Sequence, residues 1–460
     1  MNDIIVGLDI GTTKIACFVG QKDSATGKVK ILGYGRAESV GVERGVVRSV
    51  KNTSLTIAKV VNAAADQANV DIDEVYVGIA GQHIKSMQNQ GLVMIPSDHR
   101  YIEQSDIDRL IEDQHHISLP PGEVIIHVFP QTYYVDGEEL SNDLDPVGVP
   151  AKELKANFHI VTANEANLLN IRESVRMAGL HIKGVVLEPI ASAYAVLDDT
   201  DRMAGVALVD IGGGTTDVAI FHEGIIRHTS VLAVAGNVIT NDIKEGCKLL
   251  KEQAELIKTR FGSCMPQQEN ENEVVSVPGI RSQPAREVSL KTLAGIIKAR
   301  TETILEQVRY EITKSGYENQ LIAGVVLTGG GAKLKYIKEL AEYVTASSAR
   351  IGIPDEHLVA QTPDEYIHPM YATGIGLVLY GIDEAERLSH KQASIEPEPQ
   401  PQSEPEPVQV AEEPKTDTTE EKVVDEEKPR KKEKNKGNMF NRLAGYLDNL
   451  FRDSVDTPQE

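Results

Sequence analysis

Two stretches of this chain carry residue types that can grip phosphate. Leu8-Asp9-Ile10-Gly11-Thr12-Thr13-Lys14-Ile15-Ala16-Cys17-Phe18 recurs, nearly unchanged, as Val209-Asp210-Ile211-Gly212-Gly213-Gly214-Thr215-Thr216-Asp217-Val218-Ala219-Ile220-Phe221. Each is an apolar run ending in aspartate, a Gly/Thr turn and a second apolar run, a pattern that predicts a β-hairpin with a tight tip. Glycine is expected at the tip because it accepts a positive φ without a steric cost. Backbone N–H groups at Gly11, Thr12 and Thr13, and at Gly212, Gly213, Gly214, Thr215 and Thr216, would converge on a concavity suited to phosphate oxygens. The Thr hydroxyls and Lys14 add side-chain donors. Asp9 and Asp210 offer hard oxygen to Mg2+, directly or through water. One such motif is as readily an ordinary turn. Two in matching strand contexts argue for hairpins from two half-domains closing on one polyphosphate.

A third glycine cluster, Val325-Val326-Leu327-Thr328-Gly329-Gly330-Gly331-Ala332-Lys333-Leu334, predicts a buried strand, a turn and a helix starting near Leu334. Without side chains at Gly329, Gly330 and Gly331, a flat ring could approach the backbone. The helix N-terminus, with Lys333 beside it, favours a nearby anion. The same turn could simply open a helix. There is no Walker A motif, and no Rossmann glycine fingerprint follows a strand.

The elements that must hold these groups alternate in an α/β manner. Strands are expected at 4–10, 14–20, 30–38 and 75–80, with a helix at 54–68. Residues 82–162 look like an insertion, with strand-like runs at 124–130 and 158–162 around a polar loop at 136–146. They also contain a helix at 105–116, with Ser105 as N-cap and Asp108 closing a capping box. Strand character returns over 206–221, followed by a long amphipathic helix at 290–314 and a short buried strand at 324–328.

The chain has 460 residues, 47 Lys+Arg against 69 Asp+Glu, and a net charge of −22. That balance argues against nucleic acid as a partner, since phosphate binding needs a basic face. With 41% hydrophobic residues the bulk is not disordered. Cys17, Cys247 and Cys264 form no ligand-like group and read as small buried side chains in a reducing compartment. The N-terminus has no signal-peptide pattern. Composition breaks near residue 390. Twelve acids and two lysines fall between Glu396 and Glu427, then six basic residues and one acid between Lys428 and Lys436. The acidic, Pro-rich part is expected to stay extended. Beyond it, Met439, Phe440, Leu443, Leu447, Leu450 and Phe451 keep helical spacing, with Arg442 on another face. Such a helix, roughly 22 Å long, is too short to span a bilayer and suited to lie in its interface. Lys431, Lys432 and their neighbours would each add ~1 kcal/mol near an anionic leaflet. Docking onto a protein is the alternative for this helix.

The paired hairpins, Leu187-Glu188-Pro189-Ile190-Ala191-Ser192-Ala193 and the glycine turn resemble the actin-like ATPase superfamily over residues 1 to about 385. The resemblance implies two α/β lobes around a cleft holding Mg-ATP. It implies that Glu188 orients attacking water and that Asp9 and Asp210 orient Mg2+-bound water. Gly236 and Asn237 would lie near the nucleotide, and Glu255 and Lys258, in an A-E-x-x-K helix, would flank the adenosine. Glu188 could instead be a helix N-terminal acid, and Glu255–Lys258 a surface ion pair. The insertion, the acidic linker, the terminal helix and His368-Pro369-Met370-Tyr371-Ala372-Thr373-Gly374 resemble the FtsA family of bacterial cell division proteins. That resemblance implies lobe I at 1–81 and 163–200, returning at 365–385, and an inserted α+β subdomain at 82–162. It implies lobe II at 201–364 with an outer subdomain at about 240–320, a linker at 391–436 and a membrane-binding helix at 437–453. It further implies a homopolymer at the cytoplasmic face of the bacterial inner membrane, at the division site. The polymer would bind the tubulin-like FtsZ and recruit other divisome proteins, with at most slow ATP hydrolysis. The length of 265–285 and the Glu/Pro-rich linker depart from the family pattern and leave the FtsZ-docking surface open. A pilus-assembly type of actin-like adaptor and a small-molecule kinase remain alternatives.

Overall fold

Apolar strands alternating with amphipathic helices build two sheets of the same plan. The computed structural model describes residues 4–393, except 97–99, 142–143, 271 and 280–283. The first sheet runs in the order His181–Leu187, Glu74–Ile79, Ile4–Ile10, Lys14–Lys22, Val29–Glu38. The second runs Ala349–Ile351, Gly324–Thr328, Val206–Ile211, Thr216–His222, Ile225–Leu232. In both, three antiparallel strands are extended by two parallel ones. Parallel pairs need long crossovers, and helices such as Val50–Ala68, Glu165–Met177 and Leu290–Ser315 supply them. Every residue of Val206–Ile211 is buried, as befits a central strand covered on both faces.

Strand periodicity divides the core. Val6, Leu8 and Ile10 pack with Ile57 and Val61 of helix Val50–Ala68. Ile5, on the other face, packs with Ile375, Leu377 and Val378 of helix Ala372–Ala393. That second cluster also takes in Ile190 and Ala191 of helix Glu188–Val196, and Leu208 and Val326 of the second sheet. The two helices that carry the chain between the lobes thus lie in a shared core.

Between strand Glu74–Ile79 and helix Glu165–Met177 of the first lobe stands a separate antiparallel sheet, in the order Lys85–Met94, Glu153–Asn164, Glu123–Val135, Glu138–Glu139. Helix Gln104–His115 covers it, and Leu110, Leu154, Phe158 and Ile160 form its own core. This sheet also touches the second lobe. Gln131 Nε2 donates to the carbonyls of Ile226 at 2.8 Å and Arg227 at 3.0 Å, and His159 Nε2 lies 2.9 Å from Thr229 Oγ1.

Several sequence expectations shift. Ser105 does not cap its helix: Glu103 holds the N-cap position, and its N–H donates to Asp106 Oδ2 at 3.0 Å. Asp106, two residues before Asp108, therefore closes the box. The helix expected at 54 starts at Val50, because Ser49 caps it. After the third glycine cluster comes only a short turn, Gly330–Lys333, and the helix proper is Ile337–Thr345. Lys85–Met94, too polar to read as a strand, is an edge strand whose first four residues are exposed. The three cysteines are free and buried. Among the described residues no helix is long and apolar enough to cross a membrane. The 391–436 linker overlaps the end of helix Ala372–Ala393; the rest of it, and 437–453 with Met439 to Phe451, lies outside the described residues.

Candidate functional site

Both hairpins form, and their tips face each other across a cleft of about 1530 Å³. In the first, Asp9 pairs with Ala16; in the second, Asp210 pairs with Asp217 at the same register. The tips approach so closely that a Cβ on Gly213 would overlap Thr13 Cγ2. One on Gly214 would lie 2.9 Å from the Arg44 Cα. None of Gly11, Gly212, Gly213 and Gly214 has a positive φ. Gly213 and Gly214 lack a side chain where the lobes approach closely, whereas a Cβ on Gly11 or Gly212 would meet the Lys14 or Thr215 carbonyl of its own hairpin, at 2.9 and 3.2 Å. The positive φ falls instead at Gly329 (+83°), where a Cβ would press on Asp210 and on the Ile211 carbonyl, 2.7 Å away.

Asp9, Gly11, Thr12, Thr13 and Lys14 line the cleft from the first lobe. Lys14 Nζ donates to Asp9 Oδ2 at 2.5 Å, and the Thr12 hydroxyl accepts the Gly45 N–H at 3.0 Å. Burial alone would lower the Lys14 pKa, but Asp9, Asp210 and Glu188 together hold it above the ordinary lysine value. Asp210, Gly212, Gly213, Gly214 and Thr215 line the opposite side. Thr216 does not: it is buried and donates to the Val234 carbonyl at 2.7 Å, so the pleat turns it into the sheet.

Helix Gly236–Cys247 starts directly on the second hairpin. The Gly236 and Asn237 N–H groups donate to the carbonyls of Gly212 at 3.1 Å and Gly213 at 2.8 Å. Lys258, from helix Lys251–Phe261, is buried and reaches the Gly236 carbonyl at 3.0 Å, Thr240 Oγ1 at 2.8 Å and Glu255 Oε2 at 2.8 Å. Burial pushes its pKa down, and Glu255 opposes the shift. The pair is therefore a strut inside the second lobe with both ends on the cleft wall. Gly329, Gly330, Gly331 and Lys333 close the same wall.

Glu188 begins helix Glu188–Val196 at the cleft floor. Its carboxyl is held well above the usual range, by burial first and then by Asp9, Asp217 and Asp210. The Leu187 N–H, one residue earlier, donates at 3.1 Å to Nε2 of His127 from the inserted sheet. Asp217, which the hairpin motif contains but the sequence assigns no role, is 2% exposed and lines the cleft. Its Oδ2 accepts from the Thr215 hydroxyl at 3.1 Å, while Oδ1 has no partner. Burial and the charge on Asp210 raise its pKa well above the ordinary value. The signal was the pleat, since residues 215 and 217 share a face that 216 does not. Four carboxylates around one lysine, with a buried orphan oxygen, suit a divalent cation. Among the described residues no three His, Cys, Asp or Glu side chains close into a direct metal cage. Contact through water fits this spacing better than direct ligation.

A family described as cell division protein FtsA matches residues 207–376, and one described as the SHS2 domain inserted in FtsA matches 81–162. The Hsp70 protein family matches 163–239. Over 381 residues the chain is 37% identical to the cell division protein FtsA of Pseudomonas aeruginosa, covering 83% of this chain and 90% of that one. The chain belongs to the FtsA family. The Escherichia coli K12 FtsA is 33% identical over 385 residues, 82% of this chain and 90% of its own. Among solved structures, the PilM–PilN type IV pilus biogenesis complex superposes with a TM-score of 0.61 at 16% identity. It covers 83% of this chain and 99% of that one, a likeness of fold alone. The fold of this FtsA-family chain is the actin-like α/β architecture of two lobes around a cleft, and its role is in cell division.

Proposed function

We propose that the chain is an ATP-binding, polymerising scaffold of cell division. It would tie the tubulin-like FtsZ to the cytoplasmic face of the inner membrane at the division site and recruit later divisome proteins through residues 82–162. One observation carries the nucleotide reading: hairpin tips from two lobes meet over a single cleft whose floor holds Asp9, Lys14, Asp210 and the orphan Asp217 Oδ1. Backbone N–H groups at the tips would bind the phosphates, and Asp9 and Asp210 would hold Mg2+ through water. The cation would neutralise phosphate charge. Glu188 would orient water, with at most slow hydrolysis, and the Gly329–Gly331 turn with the Glu255–Lys258 strut would bound the adenosine.

Membership of the FtsA family supports the cell-division role. The spacing of Met439 to Phe451 behind Lys431 and Lys432 supports a lipid contact, weak for one copy and firm for an array. Electron microscopy on an anionic lipid monolayer tests the whole. Filaments with Mg-ATP, absent without it and absent from the lipid after deletion of residues 438–460, are expected. Substrate-stimulated turnover without filaments would instead establish a kinase, and binding only to a transmembrane partner's tail an adaptor.

A further inference from the structure

The cleft floor holds a junction that phosphate contacts leave unused. Ser192 lies in helix Glu188–Val196, on the chain's path from the first lobe to the second; Thr373 lies in helix Ala372–Ala393, on its return. The two motifs that contain them meet at one carboxylate oxygen. Ser192 Oγ donates to Asp210 Oδ2 at 2.7 Å and Thr373 Oγ1 donates to it at 3.2 Å, the hydroxyls being 3.1 Å apart. Ser192 is 0% exposed, Asp210 and Thr373 7% each.

Two donors occupy the lone pairs of Oδ2, so Oδ1 is the oxygen left for anything in the cleft. It lies against Gly329, where any side chain would press on it. The two helices also approach closely here: a Cβ on Gly376, three residues past Thr373, would overlap the Ala191 carbonyl. Rotation of one lobe against the other disturbs least at such a pivot. The inserted sheet attaches to the second lobe as well, through Gln131 and His159. Both attachments survive only a swing whose axis passes near both.

We propose that Ser192 and Thr373 are positioning residues that fasten Asp210 to both interlobe helices, so that what binds at Oδ1 sets the angle between the lobes. This rests on the cleft being a nucleotide site. With both hydroxyls present, a displacement of the carboxylate is passed to the two helices; without them, Asp210 relaxes alone. A ligand shifts the lobes only by its preference for one angle over another, and this junction is where that preference is registered.

The test uses the full chain with Leu55→Cys and Tyr343→Cys, exposed positions on helices of opposite lobes (63% and 76%), while the native cysteines are buried. Spin labels at these sites report the interlobe distance by electron–electron resonance, with and without saturating Mg-ATP, and calorimetry gives Kd. The wild-type distance is expected to change on binding. The Ser192→Ala, Thr373→Val double variant should bind Mg-ATP within about threefold of wild type yet lose that change, whereas Thr373→Ser should retain it. If the double variant does not fold, Thr373→Val against Thr373→Ser carries the comparison. A double variant that keeps the full change, or a wild type that binds without any change, overturns the proposal. A wild type that does not bind Mg-ATP takes the nucleotide reading, and this proposal with it.

Discussion

Gly329 sits at φ +83° with a would-be Cβ 2.7 Å from the Ile211 carbonyl, whereas its neighbour Gly330 has open space around it and no positive φ. Gly329→Ala should therefore cost about 2–4 kcal/mol through strain and crowding. Gly330→Ala should stay within about 0.5 kcal/mol of wild type. Urea unfolding of the two variants distinguishes them, and equal losses would refute the assignment of the turn. The Lys14–Asp9 pair makes a second prediction, because its side chains are 14% and 4% exposed. Lys14→Met strands a buried carboxylate and should cost about 3 kcal/mol. Adding Asp9→Asn should restore much of that, and a double variant no better than the single would show that the pair is not coupled. At this scale the hairpins are legible because aspartate, glycine and threonine recur in that order in two matching strand contexts. Asp217 is separable from its neighbour Thr216 only through the pleat, which turns 217 to the cleft and 216 away from it, and that needs the strand's facing as well as its residue types. The hinge use of Ser192 and Thr373 could not be read at all, since it depends on a meeting of two helices whose hydroxyls are 181 residues apart in sequence.

The inserted sheet is the element whose position the sequence left most open, and its contacts make a pH prediction. His159 is 1% exposed, with Nε2 on Thr229 Oγ1 and Nδ1 3.5 Å from Gln88 Nε2. Burial, then the neighbouring His228, pushes its pKa from 6.5 down to about 4. Between those values the unfolded chain takes up a proton that the folded chain refuses. Its contribution to stability is complete above pH 6.5 and declines as pH falls toward 4. His159→Gln should flatten the fall of unfolding free energy across that window by about one proton. An unchanged slope would mean that the ring is already charged in the fold. Strong elements such as Ile4–Ile10, Gly324–Thr328 and Leu290–Ser315 were readable from apolar pattern and turn residues. Lys85–Met94 was not, since a polar edge strand gains its structure from pairing with Glu153–Asn164.

Across the whole molecule the charge of −22 is unevenly placed, with the basic run 428–436 following an acidic stretch. An average that argues against anionic surfaces is compatible with a tip that seeks them. Deleting residues 438–460 should release the chain from anionic vesicles in a co-sedimentation assay, and raising salt should weaken the intact chain's binding. Undiminished sedimentation of the deletion would rule out the anchor. Duplication of one sheet plan, visible as a repeated motif, makes the two-lobe architecture legible in the sequence. The lobe spacing and the contacts of the insertion with strand Ile225–Leu232 arise from long-range packing and left no trace in the local sequence. Calorimetric titration of Mg-ATP into the wild-type chain and Asp210→Ala tests the nucleotide cleft most directly. Saturable binding by the wild type, weakened at least about tenfold in the variant, is predicted; equal dissociation constants, or no binding by the wild type, would contradict it.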